Sequence, residues 1–463
     1  MQVLKFGGTS VANANNIRNV ASILKQEVKK DRTIVVVSAL GGITDMLLKS
    51  GKLAGQGDLE YKELLQGMMQ RHLDTVKELL PVNNQSSILS NVMQRWNEVE
   101  DICNGIYLLH EFSDRTKDRI LSYGEFISSQ IISAYLNGVG LTNTWKDSRD
   151  LIQTDSNYTK AAVDFSSSDE KIMDYFSSAT GDLFILPGFI ASDAGNNTTT
   201  LGRGGSDYTA AIIGAAINAS VVQIWTDVSG LMTADPRLVS NAKVIQTISY
   251  QEAMELSHFG AKVIYPPTIQ PVMSKEIPVL IKNTFIPLDE GTTIQAHINQ
   301  NSNTIRGISS INKIALLSLE GSGMVGIPGF SRRLFDTLAN EEINVVLITQ
   351  ASSEHSICVG IEEQYVSRAK AAIDQAFNYE IKIGQLNPLI VEENLAVVAL
   401  VGDNMKNHVG TSGKMFGVMG RNGVNIRAIA QGSSERNISA VITNTDVRKA
   451  INVLHEEFFE PSY

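Results

Sequence analysis

Short apolar runs rich in β-branched residues recur over the first 300 or so positions, and helical patterns separate them. Val3–Phe6, Thr33–Val37, Leu183–Leu186, Val221–Trp225 and Pro278–Lys282 each read as a buried strand. Ile17, Val20, Ala21, Leu24 and Val28 follow the three-and-four spacing of an amphipathic helix. Residues 60–135 are mostly helical by pattern, with Leu64, Leu65, Met68, Met69 and Leu73 as one stripe. Ser249 with Glu252 forms a capping-box signal for a helix over Gln251–Phe259. Strands alternating with helices predict an α/β domain over residues 1–295.

The polar stretch Asn299–Asn303 breaks this rhythm and predicts a linker over 296–312. Beyond it the chain repeats itself. Asn344–Ile357 aligns with Asn425–Ile438 at an offset of 81 residues, which also joins Gly321 to Gly402, Met324 to Met405 and Phe335 to Phe416. Each copy reads strand, glycine turn, helix, strand, turn, strand. Two copies are too few for a solenoid. They predict two packed modules over 313–390 and 391–463, with Thr304–Ser309 available to lend a strand to one of them.

Composition narrows the function. The 463 residues carry a net charge of −10, which argues against a nucleic-acid partner or an anionic membrane surface. Cys103 and Cys358 are too few for a disulfide framework or a multi-thiolate metal site. The first residues lack the pattern of a signal peptide, and no apolar run approaches the ~20 residues of a membrane span. A cytoplasmic location is expected.

Four segments carry candidate chemistry. Lys5-Phe6-Gly7-Gly8-Thr9-Ser10 ends a strand, where glycine N–H groups and a lysine suit a phosphate; a plain strand-to-helix turn explains it equally well. It is not a Walker A loop. Ser38–Thr44 holds two glycines and two hydroxyls at a second strand end, the place of ligand crevices in open α/β sheets, although an ordinary turn is the simpler reading in isolation. Gly202-Arg203-Gly204-Gly205-Ser206-Asp207 sets an arginine fork between glycines before an apolar helix, which favours function. Thr226-Asp227 ends another strand, followed by Asp235-Pro236-Arg237 and Gly260-Ala261-Lys262, each weak alone. Gly321-Ser322-Gly323-Met324-Val325-Gly326 fits a dinucleotide fingerprint, but its repeat partner lacks the second glycine and no acidic residue ends the next strand.

Taken in order, these motifs resemble those of the aspartate kinases, of the amino acid kinase family. The resemblance covers nearly the whole chain and is nearest to the kinase half of bifunctional aspartokinase–homoserine dehydrogenases. It rests on Lys5–Ser10, Gly202–Tyr208, Trp225–Val228 and Phe259–Val263, with the 81-residue repeat similar to tandem ACT modules. It implies an α/β, αβα-sandwich amino acid kinase domain followed by two ACT-type (βαββαβ) regulatory modules. It implies transfer of the ATP γ-phosphoryl to the β-carboxylate of L-aspartate, giving 4-phospho-L-aspartate for lysine, threonine and methionine biosynthesis. By motif match, Lys5 and Lys262 stabilise the transferring phosphoryl and Asp207 organises the site. Arg203 clamps the α-carboxylate, Glu125 takes the α-ammonium, and Ser38, Thr44 and Ser206 line the substrate. Gly7, Gly8, Thr226, Asp227, Met232, Arg237, Lys262 and Val263 face ATP. Mg2+ is expected on the phosphates, with no protein metal ligands.

Two positions depart from the family pattern: Met232 stands where a tyrosine is common and Tyr265 where a histidine is frequent. The chain stops where a dehydrogenase begins in bifunctional relatives, so no homoserine dehydrogenase activity is expected. Gln350 and Gln431, with Ile348 and Ile429, are the expected contacts of a regulatory amino acid, threonine before lysine. A homodimer or larger assembly through the ACT modules is expected. The rival readings are another amino acid kinase and a catalytically inactive ACT sensor.

Overall fold

The computed structural model describes residues 1–259, 263–298, 304–350, 355–405 and 408–460. It divides into two compact units, the first built from Met1–Leu231, Val244–Tyr250 and Val263–Ile298. The second takes in Met232–Lys243, the stretch from Gln251, and the chain beyond 299.

The first unit is built on an eight-stranded sheet. Its strands lie in the order Thr144–Trp145, Leu183–Pro187, Thr33–Val37, Gln2–Phe6, Val222–Thr226, Val279–Asn283, Thr292–Gln295, Thr247–Ser249. The central strands are parallel, in register from Gln2 opposite Thr33 and from Val3 opposite Val222. They are buried on both faces, which is why they read as continuous apolar runs. Leu4, Phe6, Val35, Val37, Leu183 and Ile185 enter one core, and the alternating Val3, Ile34, Val36, Phe184 and Leu186 are buried on the opposite face. This is an αβα sandwich. The helix Ala14–Glu27, capped by the Asn13 side chain on Asn16 N–H, buries the predicted stripe through Ile17, Val20, Ala21 and Leu24. The long helical stretch resolves into Glu60–Leu79, Ser86–Leu109 and Asp114–Gly138. The connection after Gln2–Phe6 runs to Thr33–Val37 on one side, and that after its neighbour Val222–Thr226 runs to the other, so the carboxyl ends of this pair form a topological switch point, where a ligand crevice opens.

The second unit contains a six-stranded antiparallel sheet, ordered Val345–Gln350, Ser356–Glu362, Gly307–Glu320, Ile390–Val401, Asn437–Thr443, Ile426–Ala430. Its two central strands are long because each serves two modules. Residues 307–312, expected as linker, are the first half of one of them and pair with 396–401, the opening of the second copy. Residues 316–318 pair with 390–392. The halves are divided at Lys313 (φ 58°) and Asn394 (φ 59°), themselves 81 positions apart. Helices Phe330–Asn340 and Val366–Ala376 pack over one half, and Thr411–Arg421 and Val447–Phe459 over the other. The opposite face of the sheet forms its own core around Leu316, Leu347, Val397 and Val441.

The glycine fingerprint at 321–326 has a packing explanation. A Cβ on Gly321 would stand 2.2 Å from the Gln385 carbonyl oxygen, and one on Gly402 would stand 2.2 Å from that of Thr304. In each module the segment leading into the neighbouring half-strand crosses directly over this glycine, which only a residue without a side chain permits.

Candidate active site

The switch point opens into a cleft of about 640 Å³. Alternation along Gln2–Phe6 sends Leu4 and Phe6 into the core and leaves Lys5 for the other face. Lys5 Nζ lies 2.6 Å from Asp207 Oδ1, in the first turn of the helix Gly205–Ala216. The pair is nearly buried, at 11% and 13% exposure, so water screens it poorly. Oδ1 lacks the alignment of a hydrogen bond, which makes the contact chiefly Coulombic.

Arg203 is held out by its neighbours. Gly202 and Gly204 take φ of 70° and 71°, the left-handed region that glycine adopts without penalty. Among the described residues Arg203 has no ion pair or hydrogen bond, and its guanidinium stands 5.6 Å from the centre of the Tyr265 ring. Gly204 supplies no side-chain cap, so the helix Gly205–Ala216 begins with first-turn N–H groups that an anion can satisfy.

Glu125 projects from the helix Asp114–Gly138 and is buried. Burial pushes its carboxyl up to about 8, against the pull of a backbone N–H at Ala39 and the charge of Lys5. Its Oε2 has no hydrogen-bond partner among the described residues. Such a group is completed by a cationic ligand. Ser38 continues the central ladder, donating its N–H to the Phe6 carbonyl at 3.1 Å, and Thr44 lies in the first turn of the helix Ile43–Gly55. The cleft gathers Lys5, Ser38, Thr44 and Glu125 with Arg203, Ser206 and Asp207. One arginine fork, one buried acid and a lysine–carboxylate pair match an α-amino acid bearing a further anionic group.

Residues 1–283 match the model of the amino acid kinase family, and residues 317–377 and 398–458 match that of an ACT domain. The chain belongs to the amino acid kinase family. Within the family its relatives are aspartokinases. It is 37% identical to bifunctional aspartokinase/homoserine dehydrogenase 2, chloroplastic, of Arabidopsis thaliana, over 99% of this chain and 50% of that protein. The chain thus spans about half the length of that curated relative. It is 30% identical to aspartokinase 1, chloroplastic, of the same plant, over 99% of this chain and 80% of that one. The structure of E. coli aspartokinase III in complex with aspartate and ADP superposes with a TM-score of 0.84 at 29% identity, covering 99% of this chain and 100% of that one.

The described members of the expected nucleotide set of this amino acid kinase lie outside the lining of this cleft. Gly7 N–H donates to the Trp225 carbonyl at 3.1 Å, and Thr226 Oγ1 donates to Asp227 Oδ1 at 3.1 Å. Gly7, Gly8, Thr226, Asp227 and Val263 do not line the cleft. Met232 and Arg237 fall in the second unit, where Arg237 is exposed and grips Asp235 at 2.7 Å. Lys262 lies outside the described residues. In the ACT region Ile348, Gln350, Ile429 and Gln431 are all exposed, on or beside the outer strands of the sheet. Ser412 Oγ donates to Gln431 Oε1 at 3.3 Å.

Two residues near the cleft escaped the sequence reading. Tyr265, noted only as a departure, is the ring beneath Arg203. Asp118 is completely buried at the foot of the Arg203 loop. A buried acid one helical turn along from apolar positions leaves no mark in a hydrophobic pattern.

Proposed function

We propose that the chain is an aspartate kinase, transferring the γ-phosphoryl of ATP to the β-carboxylate of L-aspartate. The observation that carries the reading is the meeting, in one cleft with the Lys5–Asp207 pair, of Arg203 and a buried Glu125 whose Oε2 has no hydrogen-bond partner among the described residues. Arg203 receives the α-carboxylate through two parallel N–H donors, and Glu125 receives the α-ammonium. The β-carboxylate, with a pKa of ~3.9, is already ionised at neutral pH and needs no general base. One of its oxygens bonds to the γ-phosphorus as the bond to the β,γ-bridging oxygen breaks, and ADP departs with that electron pair. Holding two anions together is then the main task. Lys5, at present neutralised by Asp207, is the mobile charge for the phosphoryl oxygens, and Lys262 is its counterpart by motif.

Among the described residues no group of three or more His, Cys, Asp or Glu is placed to hold a metal ion. With Asp207 paired to Lys5 and Glu125 assigned to the α-ammonium, the cleft suits a Mg2+ that arrives on the nucleotide, where it neutralises phosphate charge. No helix among the described residues is long and apolar enough to cross a membrane. A cytoplasmic location belongs to the same reading, supported by two unpaired cysteines. The product, 4-phospho-L-aspartate, feeds lysine, threonine and methionine biosynthesis in this reading. The ACT pair responds to threonine, or to lysine, at Gln350 and Gln431, and joins copies of the chain.

The test is purified protein with ATP, Mg2+ and L-aspartate, trapping acyl phosphate with hydroxylamine. Hydroxamate from aspartate, and none from glutamate or acetylglutamate, is expected. No hydroxamate from any acid, beside measurable threonine binding, would replace the enzyme with an amino acid sensor.

A further inference from the structure

We propose that Asp118 is the positioning residue that sets the reach of Arg203. The inference rests on the aspartate kinase reading for its kinetic consequence, and on geometry for the rest. Asp118 lies on the helix Asp114–Gly138, on the stripe of Lys117, Leu121 and Glu125, which line the cleft. Unlike them it does not reach the cleft; it is 0% exposed and sits behind the wall.

Its carboxylate is fully engaged there. Thr200 Oγ1 donates to Oδ1 at 2.6 Å. Thr200 N–H and Thr159 N–H donate to Oδ2 at 3.0 and 2.8 Å. Both threonines line the cleft. Thr200 ends the strand Thr198–Thr200, three positions before Arg203. Thr159 holds a φ of 69°, which a β-branched residue keeps only when its surroundings impose it. A Cβ on Gly202 would touch the Thr159 carbonyl at 3.4 Å, so the two segments lie against each other. One buried acid thus pins both, and Arg203 springs from the pinned loop. Burial raises the Asp118 carboxyl while the three donors oppose that shift. A purely packing role would be served at lower cost by an apolar residue.

The experiment uses the full chain, with aspartate and ATP varied separately. Asp118→Ala is expected to raise the aspartate KM by about tenfold or more while the ATP KM stays within about twofold. In Asp118→Asn the amide oxygen takes the place of Oδ2 and accepts the two N–H groups while the amide NH2 donates to Thr200 Oγ1, so its aspartate KM is expected within about threefold of wild type. Thr200→Val removes one donor, and a rise of about threefold is expected; with Asp118→Asn it decides the matter if Asp118→Ala fails to fold. Hydrogen exchange gives a readout without substrate. The amides of 200–205 are expected to exchange about tenfold faster in Asp118→Ala, with the strand Val222–Thr226 unchanged.

An unchanged aspartate KM in both Asp118→Ala and Thr200→Val overturns the proposal. So does a parallel rise in the KM of aspartate and ATP that Asp118→Asn does not rescue. Absence of aspartate phosphorylation by the wild type would sink the functional reading instead. The exchange rates alone would then judge the positioning role.

Discussion

Glu125→Gln separates what the site needs from what the fold tolerates. The Glu125 carboxyl moves from 4.5 to about 8 on folding because it is buried without enough donors. The native chain therefore keeps a proton that the unfolded chain has released throughout this window, so the Glu125 contribution to stability falls as pH rises from 4.5 to about 8. At ~1.4 kcal/mol per pH unit the whole span is worth roughly 5 kcal/mol, and relaxation around the carboxylate leaves about 2–3 kcal/mol to be observed. Glutamine copies the neutral acid and never ionises. The variant is thus expected to match wild type near pH 5 and to exceed it by about 2–3 kcal/mol at pH 9, read from urea unfolding of both proteins at each pH. The same change removes the partner of the α-ammonium. A charged hydrogen bond of ~1.5–3 kcal/mol predicts a rise in aspartate KM of roughly ten- to a hundredfold. In the wild type, aspartate KM is expected to fall as pH climbs toward about 8, because the ammonium prefers the ionised acid. A stability difference that is the same at pH 5 and pH 9, or an aspartate KM untouched by the substitution, would refute the reasoning.

Other consequences can be checked in the same assays. Arg203→Lys keeps the charge and loses the fork, so aspartate KM is expected to rise about tenfold or more with the ATP KM unchanged. Tyr265→Ala removes the ring beneath the guanidinium and is expected to raise aspartate KM by about two- to fivefold, with Tyr265→Phe near wild type, since the contact is made by the ring face. Gly402→Ala sets a Cβ 2.2 Å from the Thr304 carbonyl oxygen and is expected to destabilise the second unit by about 1–3 kcal/mol, seen as an earlier unfolding transition. If the ACT glutamines bind a regulatory amino acid, Gln350→Ala and Gln431→Ala are expected to weaken inhibition by threonine or lysine without changing uninhibited turnover.

The central strands were legible because a strand buried on both faces must be apolar throughout, and Thr33–Val37 is. The meeting of Lys5 and Ser38 was legible for a topological reason, since adjacent strand ends of a parallel sheet lie along one edge. Arg203 follows Thr198–Thr200, a strand of a separate three-stranded sheet, and only its glycine neighbours marked it. What stayed hidden depends on pairing between distant segments. The strand at 307–312 was legible only in part, through Thr304–Ser309 as a segment available to a module, because its partner lies about 90 positions downstream at 396–401. The Tyr265–Arg203 contact and the Asp118 anchor are of the same kind: each side chain is unremarkable until the chain has folded around it.

The exchange of half-strands at Lys313 and Asn394 has a bearing on how this polypeptide is made and inherited. The final strand of the second module is synthesised before the first module begins, and it waits through more than 80 residues of intervening chain for Ala396–Val401 to appear. Contacts of such separation close late in folding. A cut at residue 390 would yield no free-standing module, since it strands 307–312 without a partner on one side and leaves an open sheet edge on the other. The duplication therefore travels as a pair: neither copy can be lost, swapped or grafted elsewhere unless the other moves with it.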